Sequence, residues 1–227
     1  GICDGAFDCA FAITSKGVTD YYEKINEILA QWQPLIISKV LGTMVDTRQY
    51  NKKFFTENKG EEVIFGGEIV NNKIDKLDSN ILNILANDAR IPLTQLSSKT
   101  NSTVEKVRTK IKNLKKKGII LKYRIAVDFN KLDLEFFKTI IYFKSLSKKD
   151  EHALFRWMRD HPKAIYYIRS LAPWEVEFEF AVENYQEFNK IINELREKFP
   201  LVIRNHEHLI MIHEEWLPGF KEILKST

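Results

Sequence analysis

The chain has 227 residues, 35 Lys or Arg against 31 Asp or Glu, and a formal net charge of +4. At 44% hydrophobic and 29% charged it has room for roughly two domains and none of the bias of a disordered chain. No apolar run approaches the ~20 residues of a bilayer span, no charged-then-apolar leader is present, and Cys3 and Cys9 without a CxxC spacing make no zinc motif. These features set aside a membrane protein and a disulfide scaffold, and they point to the cytosol or nucleoid.

In chain order, Phe7 to Ile13 reads as a buried strand, Thr19 to Trp32 as an amphipathic helix, and Pro34 to Val45 as strand again. The same succession recurs near the other end, with strand from Trp174 to Val182, helix from Tyr185 to Phe199 and strand from Pro200 to His213. At an offset of 167 residues Phe7 falls on Trp174, Asp8 on Glu175, Phe11 on Phe178 and Trp32 on Phe199. This is a repeat at the scale of a domain. The later copy is preceded by strand over Phe136 to Leu146, helix over Lys148 to Asp160 and strand over Ala164 to Leu171. That completes a β-α-β-β-α-β unit of ferredoxin-like type, of which the first copy holds only the closing β-α-β. Half a sheet leaves a bare edge, so the rest is expected upstream of Gly1 or from a partner chain. Between the copies, Lys52 to Gly60 is polar, and Val63 to Val70 carries Gly66-Gly67 between apolar runs, the pattern of a hairpin or a bulged strand.

The centre of the chain is different. Leu77, Ile81, Leu82, Ile84 and Leu85 give an amphipathic helix opened by Asp75 or Asp78, and Pro92 suits the first turn of a short helix over Leu93 to Lys99. After Thr100-Asn101, Ser102 and Glu105 have capping-box spacing, and Val104, Val107, Ile111 and Leu114 form one narrow apolar stripe on an otherwise basic helix ending at Gly118. Ile119 to Val127 reads as strand. From Lys73 to Lys131 there are fourteen basic residues against five acidic ones, so the remainder of the chain is net acidic. A basic module between acidic ones is an electrostatic footprint for phosphate. Helix, helix, tight turn, capped basic helix and strand make a winged helix-turn-helix, an α+β chain overall.

The organisation is therefore residues 1–50, a partial ferredoxin-like domain; 51–72, a connector; 73–131, the winged helix-turn-helix; 132–217, a complete ferredoxin-like domain; and 218–227, a tail. On a helical wheel Ser102, Thr103, Lys106, Thr109 and Asn113 are placed for base edges: Lys106 suits guanine, Asn113 adenine and Thr109 a thymine methyl. Lys99, Arg108, Lys110, Lys112, Lys115, Lys116, Lys122 and Arg124 are placed for phosphates.

Leu77-Asp78-x-x-Ile81-Leu82, Asp88-x-Arg90-Ile91-Pro92-Leu93-x-x-Leu96-Ser97, Ser102 with Val107-Arg108-x-x-Ile111-x-x-Leu114, and Gly118-Ile119-Ile120 resemble the leucine-responsive/asparagine regulator (Lrp/AsnC) family. The extra N-terminal half-domain is similar to archaeal members that carry a second such domain. The resemblance implies a DNA-binding transcriptional regulator without cofactor, whose β-α-β-β-α-β domain dimerises by its sheets, assembles further, and binds amino acids near a Gly-x-Tyr/Trp-Asp turn. Gly5-Ala6-Phe7-Asp8 keeps that turn, whereas Ala172-Pro173-Trp174-Glu175 lacks the glycine and lengthens the acid. Gly5, Asp8 and Glu175 are the implied effector contacts, those of the first copy better suited than Glu175. Two other readings stay open: an architectural nucleoid protein with little sequence choice, and an enzyme similar to the siroheme decarboxylases with His161, His206, His208 and His213 as acid/base groups. His206 and His208, two apart on a strand, would begin a metal site only with a third ligand.

Overall fold

The computed structural model describes residues 1–51, 62–67, 72–125 and 127–213. It falls into two compact units, one built on a sheet and one on three helices. The sheet unit holds β1 (Ile2–Gly5), β2 (Thr43–Gln49) and β3 (Val63–Gly66) from the N-terminal part. The C-terminal part supplies β4 (Glu135–Phe143), α5 (Lys148–Asp160), β5 (Ala164–Leu171), β6 (Val176–Val182), α6 (Tyr185–Lys198) and β7 (Ile203–His213). Between β1 and β2 runs α1 (Val18–Trp32); α2 (Lys76–Asn87), α3 (Leu93–Lys99) and α4 (Val104–Lys116) form the helical unit.

Within the sheet the order β7-β4-β6-β5, antiparallel throughout, is that of a ferredoxin-like β-α-β-β-α-β unit. Period-two alternation sorts its side chains. Phe137, Ile141 and Phe143 of β4 and Val176, Phe178, Phe180 and Val182 of β6 face α5 and α6, which bring Leu154, Trp157 and Met158, and Phe188, Ile191, Ile192 and Leu195. Phe137 and Phe188 stack at 4.2 Å. Phe136, Lys138 and Ile140 of β4 and Glu177, Glu179 and Ala181 of β6 take the second face.

The N-terminal β-α-β is present, and its strands join this sheet. β1 pairs with β7 at one edge and β2 with β5 at the other, and β3 extends the sheet beyond β2, giving β1-β7-β4-β6-β5-β2-β3. β1 and β3 are thus the outer strands of one continuous sheet. α1 begins at Val18 and α6 at Tyr185, the offset of the sequence repeat. The flanking strands do not follow it. No strand forms over Phe7 to Ile13, where Cys9 makes only an isolated bridge to Ile2, and the apolar stretch after Pro34 opens with a 3₁₀ turn, Gln33–Leu35, before β2 starts at Thr43. Apolar character alone does not make a strand where no ladder partner lies alongside. β3 ends at Gly66, which with Gly67 has positive φ, and it pairs with β2. Glu68 to Val70 and Lys52 to Gly60 lie outside the described residues.

β2 is fastened to β5 by side chains as well as by the ladder. Arg169 donates to Asp46 and, at 3.0 Å, to Glu151 of α5, and Gln49 donates to the Tyr166 hydroxyl at 2.8 Å. β1 depends instead on backbone fit. Gly5 has φ of +123°, and a Cβ there would lie 2.5 Å from the His208 carbonyl oxygen. Gly5→Ala is expected to cost about 1–3 kcal/mol as strain and to release β1 selectively; amide exchange should show lost protection at β1 and the outer side of β7 with α2–α4 unchanged.

Candidate nucleic-acid interface

α2 starts with a reciprocal capping box: the Asp78 amide donates to Asp75 Oδ1 at 2.8 Å and the Asp75 amide to Asp78 Oδ2 at 3.2 Å. α3 follows Pro92, and the Thr100 hydroxyl closes it by donating to the Leu96 carbonyl at 2.8 Å. Asn101, with φ of +49°, takes the left-handed turn that Asn tolerates better than most residues. Ile81, Leu82, Ile91, Leu96, Val107 and Leu114 close the core of this unit, with Ile111, Ile119 and Ile120 packed around it. α4 therefore gives up only a thin stripe to packing.

The start of α4 differs from the expected Ser102–Glu105 box. Thr103 is the N-cap, its hydroxyl accepting from the Lys106 amide at 3.3 Å. Ser102 is half-buried, its amide donating to Ser97, and Glu105 pairs with Arg108. A shift of one residue puts the side-chain acceptor opposite the right amide. Gly118, with φ of +68°, ends the helix. Among the described residues no strand is found over Ile119 to Ile125, and residues 121–125 are exposed; Ala126 lies outside them.

The positions proposed for base edges divide accordingly. Lys106, Thr109 and Asn113 are exposed on α4, Thr103 is exposed with its hydroxyl engaged as a cap, and Ser102 lies back in the turn. Among the positions proposed for phosphates, Lys99, Arg108, Lys112, Lys115, Lys116, Lys122 and Arg124 are exposed, with the Lys115 ammonium 4.9 Å from the Tyr123 ring centroid.

Lys110 is the exception. Its ammonium binds Asp75 and, at 3.2 Å, Asp78, so α4 is tied to the capping box of α2. On the wheel it lies next to Leu114, at the edge of the buried stripe, and that is the signal that it braces α4 instead of facing outward. The hydrogen bond from Lys110, aided by the Asp78 amide, holds the Asp75 carboxyl down at about 2.

In the sheet unit the implied effector residues are used structurally. Gly5 is required by the approach of β1 to β7. The Glu175 carboxylate accepts from the Phe143 amide at 3.1 Å, while Asp8 is exposed and its carbonyl accepts from the Cys3 amide at 2.9 Å. The two turns nevertheless meet: Phe7 and Trp174, equivalent in the sequence repeat, have ring centroids 5.7 Å apart. Superposing the repeat could have suggested that contact. His206 and His208 pack together at 6.5 Å, His208 against Phe188, and burial lowers the pKa of His206. His161 caps α5 against Trp157 and Phe180. Among the described residues no three His, Cys, Asp or Glu side chains are grouped to hold a metal.

Residues 74–120 match the family described as winged helix-turn-helix DNA-binding. A transcriptional regulator of the helix-turn-helix type from Haemophilus influenzae is 50% identical over 54 residues, covering 24% of this chain and 32% of its own length. The regulator LrpA of Pyrococcus horikoshii is 42% identical over 59 residues, 26% of this chain and 42% of its own. The chain thus spans about a third to two-fifths of these curated relatives. Among solved structures, Escherichia coli AsnC aligns with a TM-score of 0.54 at 20% identity, over 64% of this chain and 97% of its own. Over its helix-turn-helix the chain is thus similar to Lrp/AsnC regulators, and over both units it shares their fold. A transcriptional regulator of Neisseria meningitidis solved with L-methionine aligns with a TM-score of 0.57 at 14% identity, over 64% of this chain and 94% of its own. These Lrp/AsnC-type relatives and neighbours are regulators, not enzymes, and the decarboxylase-like reading finds no counterpart among them.

The Asp75–Lys110 pair makes the helical unit sensitive to acid. A carboxyl whose pKa is depressed on folding stabilises fully above the usual carboxylate range, and that contribution is lost as pH falls through about 2. Thermal melts of Lys110→Ala between pH 7 and 2 should show a weaker acid dependence of α2–α4 than the parent, and Asp75→Ala should cost roughly 1 kcal/mol at pH 7 as a lost cap.

Proposed function

We propose that the chain is a cytoplasmic DNA-binding transcriptional regulator, working as an even-numbered oligomer that offers paired α4 helices to half-sites about one helical turn apart or a multiple of it. The observation that carries this is the row of exposed Lys106, Thr109, Asn113 and Lys116 on a helix held from behind by Val107, Leu114 and Lys110. Lys106, Thr109 and Asn113 read base edges. Lys99, Arg108, Lys112, Lys115, Lys116, Lys122 and Arg124 set the register on phosphates.

An amino-acid-like effector is the second part of the proposal. The solved Neisseria neighbour that holds L-methionine supports it, as does the meeting of the Gly5–Asp8 turn with Trp174. Asp8, whose carboxylate is exposed, is the residue to contact an α-ammonium group; Glu175, engaged with the Phe143 amide, is the weaker candidate. The architectural alternative draws on the excess of phosphate-type cations over base-type side chains on and around α4, and it predicts a footprint with no preferred sequence.

Duplex selection from a random library at a stated, near-physiological salt concentration tests the main reading, and a pseudo-palindromic site is the expected product. Lys106→Ala should then narrow the gap between selected and random duplex by about 1–3 kcal/mol. Lys116→Ala should weaken both alike and lower the slope of log K against log salt by about one. Equal losses on both duplexes for Lys106→Ala would leave the architectural reading in place. For the effector, calorimetric titration with a panel of free amino acids should show binding that Asp8→Asn weakens about tenfold, while Glu175→Gln has the smaller effect.

A further inference from the structure

The second face of the central sheet carries Phe136, Ile140, Ile165, Tyr166, Ile168, Ala181 and Leu209, and every one is buried within a single chain, Ile140 to 1% and Ala181 and Leu209 to 0%. α5 and α6 cannot account for this, because they lie on the first face. At one end the cover comes from the N-terminal segment, where Ala6, Phe7 and Ala10 pack with Cys3, Ile140, Leu209 and Trp174. At the other it comes from Phe65 of β3, with Phe129 and Leu134. The original edges of the β7-β4-β6-β5 sheet are taken by β1 and β2, so one N-terminal segment reaches both.

The connection from β1 to β2 has to pass five strand spacings of ~4.8 Å, roughly 24 Å. α1, with 15 residues, is about 22 Å long and buries Ile25.

We propose that the N-terminal β-α-β acts as a built-in partner for this sheet. It covers the second face from within the same chain and moves the outer strands to β1 and β3, so that face does not pack on a second copy and assembly uses another surface. The idea goes beyond the regulatory reading and does not depend on DNA binding.

The test distinguishes packing within a chain from packing between chains. Native Cys9, which is exposed, and a Pro173→Cys substitution flank the Phe7–Trp174 contact without removing either ring. Full-length protein carrying Pro173→Cys is prepared unlabelled and fully ¹⁵N-labelled, and the two are unfolded and refolded together. The mixture is then treated with a short flexible bismaleimide and digested for mass spectrometry. Cross-linked peptides that are wholly light or wholly heavy are expected. Mixed light–heavy peptides in near-statistical proportion would overturn the proposal, since the N-terminal segment would then be covering a neighbour's sheet. As a second arm, Phe7→Asp in the full chain should raise amide exchange in β1 and β7 and shift the mass measured by light scattering toward self-association. Unchanged exchange and mass would overturn the covering role.

Discussion

Closure of the β-α-β-β-α-β sheet is the constraint on which most of this molecule depends. An antiparallel sheet with helices on one face still has a second face and two edges whose apolar side chains and backbone groups need partners. Here three stretches of one N-terminal segment cover the second face and take the places beside β7 and β5, leaving β1 and β3 outermost. β2 is held by a ladder, by Arg169 with Asp46 and Glu151, and by the Gln49–Tyr166 hydrogen bond. Among the described residues the four-residue β1 has no ion pair to β7; its side-chain contact is the weak one from Cys3 Sγ to Met211 Sδ at 3.5 Å, and it relies on a glycine that allows close backbone approach. The two edges are therefore unequal in strength, and β1 is the one that local opening releases first.

A different economy governs the helical unit. A helix that presents a basic face to phosphate has few side chains left for its own core, and α4 buries only Val107 and Leu114 fully. Self-repulsion among its lysines opposes folding, and each anionic contact that relieves it matters more for that reason. Glu105 meets Arg108 on the same helix, while Asp75 and Asp78 meet Lys110 from α2. The second contact does two jobs with one pair of carboxylates: it caps α2 and fixes the roll of α4, and so determines which side chains face outward. One lysine of the basic helix is withdrawn from any ligand to do this.

Much of this was legible in the sequence because it is local. The opening of α2 at Asp75, the turn at Thr100-Asn101, the apolar stripe of α4 and the strand-helix alternation after Glu135 are each set by residues a few positions apart, and the structure keeps them within two or three residues; the capping box expected at Ser102–Glu105 forms instead at Asp75–Asp78. What was not legible depends on distant partners. Phe7 to Ile13 looked like a strand, but strand formation needs a neighbour, and β7 takes Ile2–Gly5 instead. Val63–Gly66 looked like half a hairpin, and its partner proved to be β2. Lys110 looked like its neighbouring lysines until α2 was placed beside it. Gly5 looked like part of a ligand turn, and its glycine is explained by a carbonyl on a strand 203 residues away.

The middle of the second face shows how the N-terminal segment and the sheet are locked in one register. Lys138 lies between Glu177 at 2.7 Å and Glu179 at 3.0 Å, all three largely buried. Burial opposes the charge on Lys138, but Glu179 and Glu177 outweigh it and raise its pKa above the usual lysine range. Two carboxylates against one ammonium leave an excess negative charge that a desolvated site tolerates poorly. The neutral donors around Glu177 compensate: Trp174 Nε1 donates to it at 3.0 Å and the Ser170 hydroxyl at 3.3 Å. Trp174 is also the ring against which Phe7 packs. The indole thus has its polar edge committed to the ion cluster and its face to the N-terminal turn. A slip of the turn would disturb the donor that Glu177 needs, and a strand slip in β6 would turn Glu177 and Glu179 toward the apolar face covered by α5 and α6. The charged cluster contributes little net stability by comparison with an apolar one, but it penalises the wrong register heavily, and through Trp174 it extends that penalty to the segment that covers the sheet.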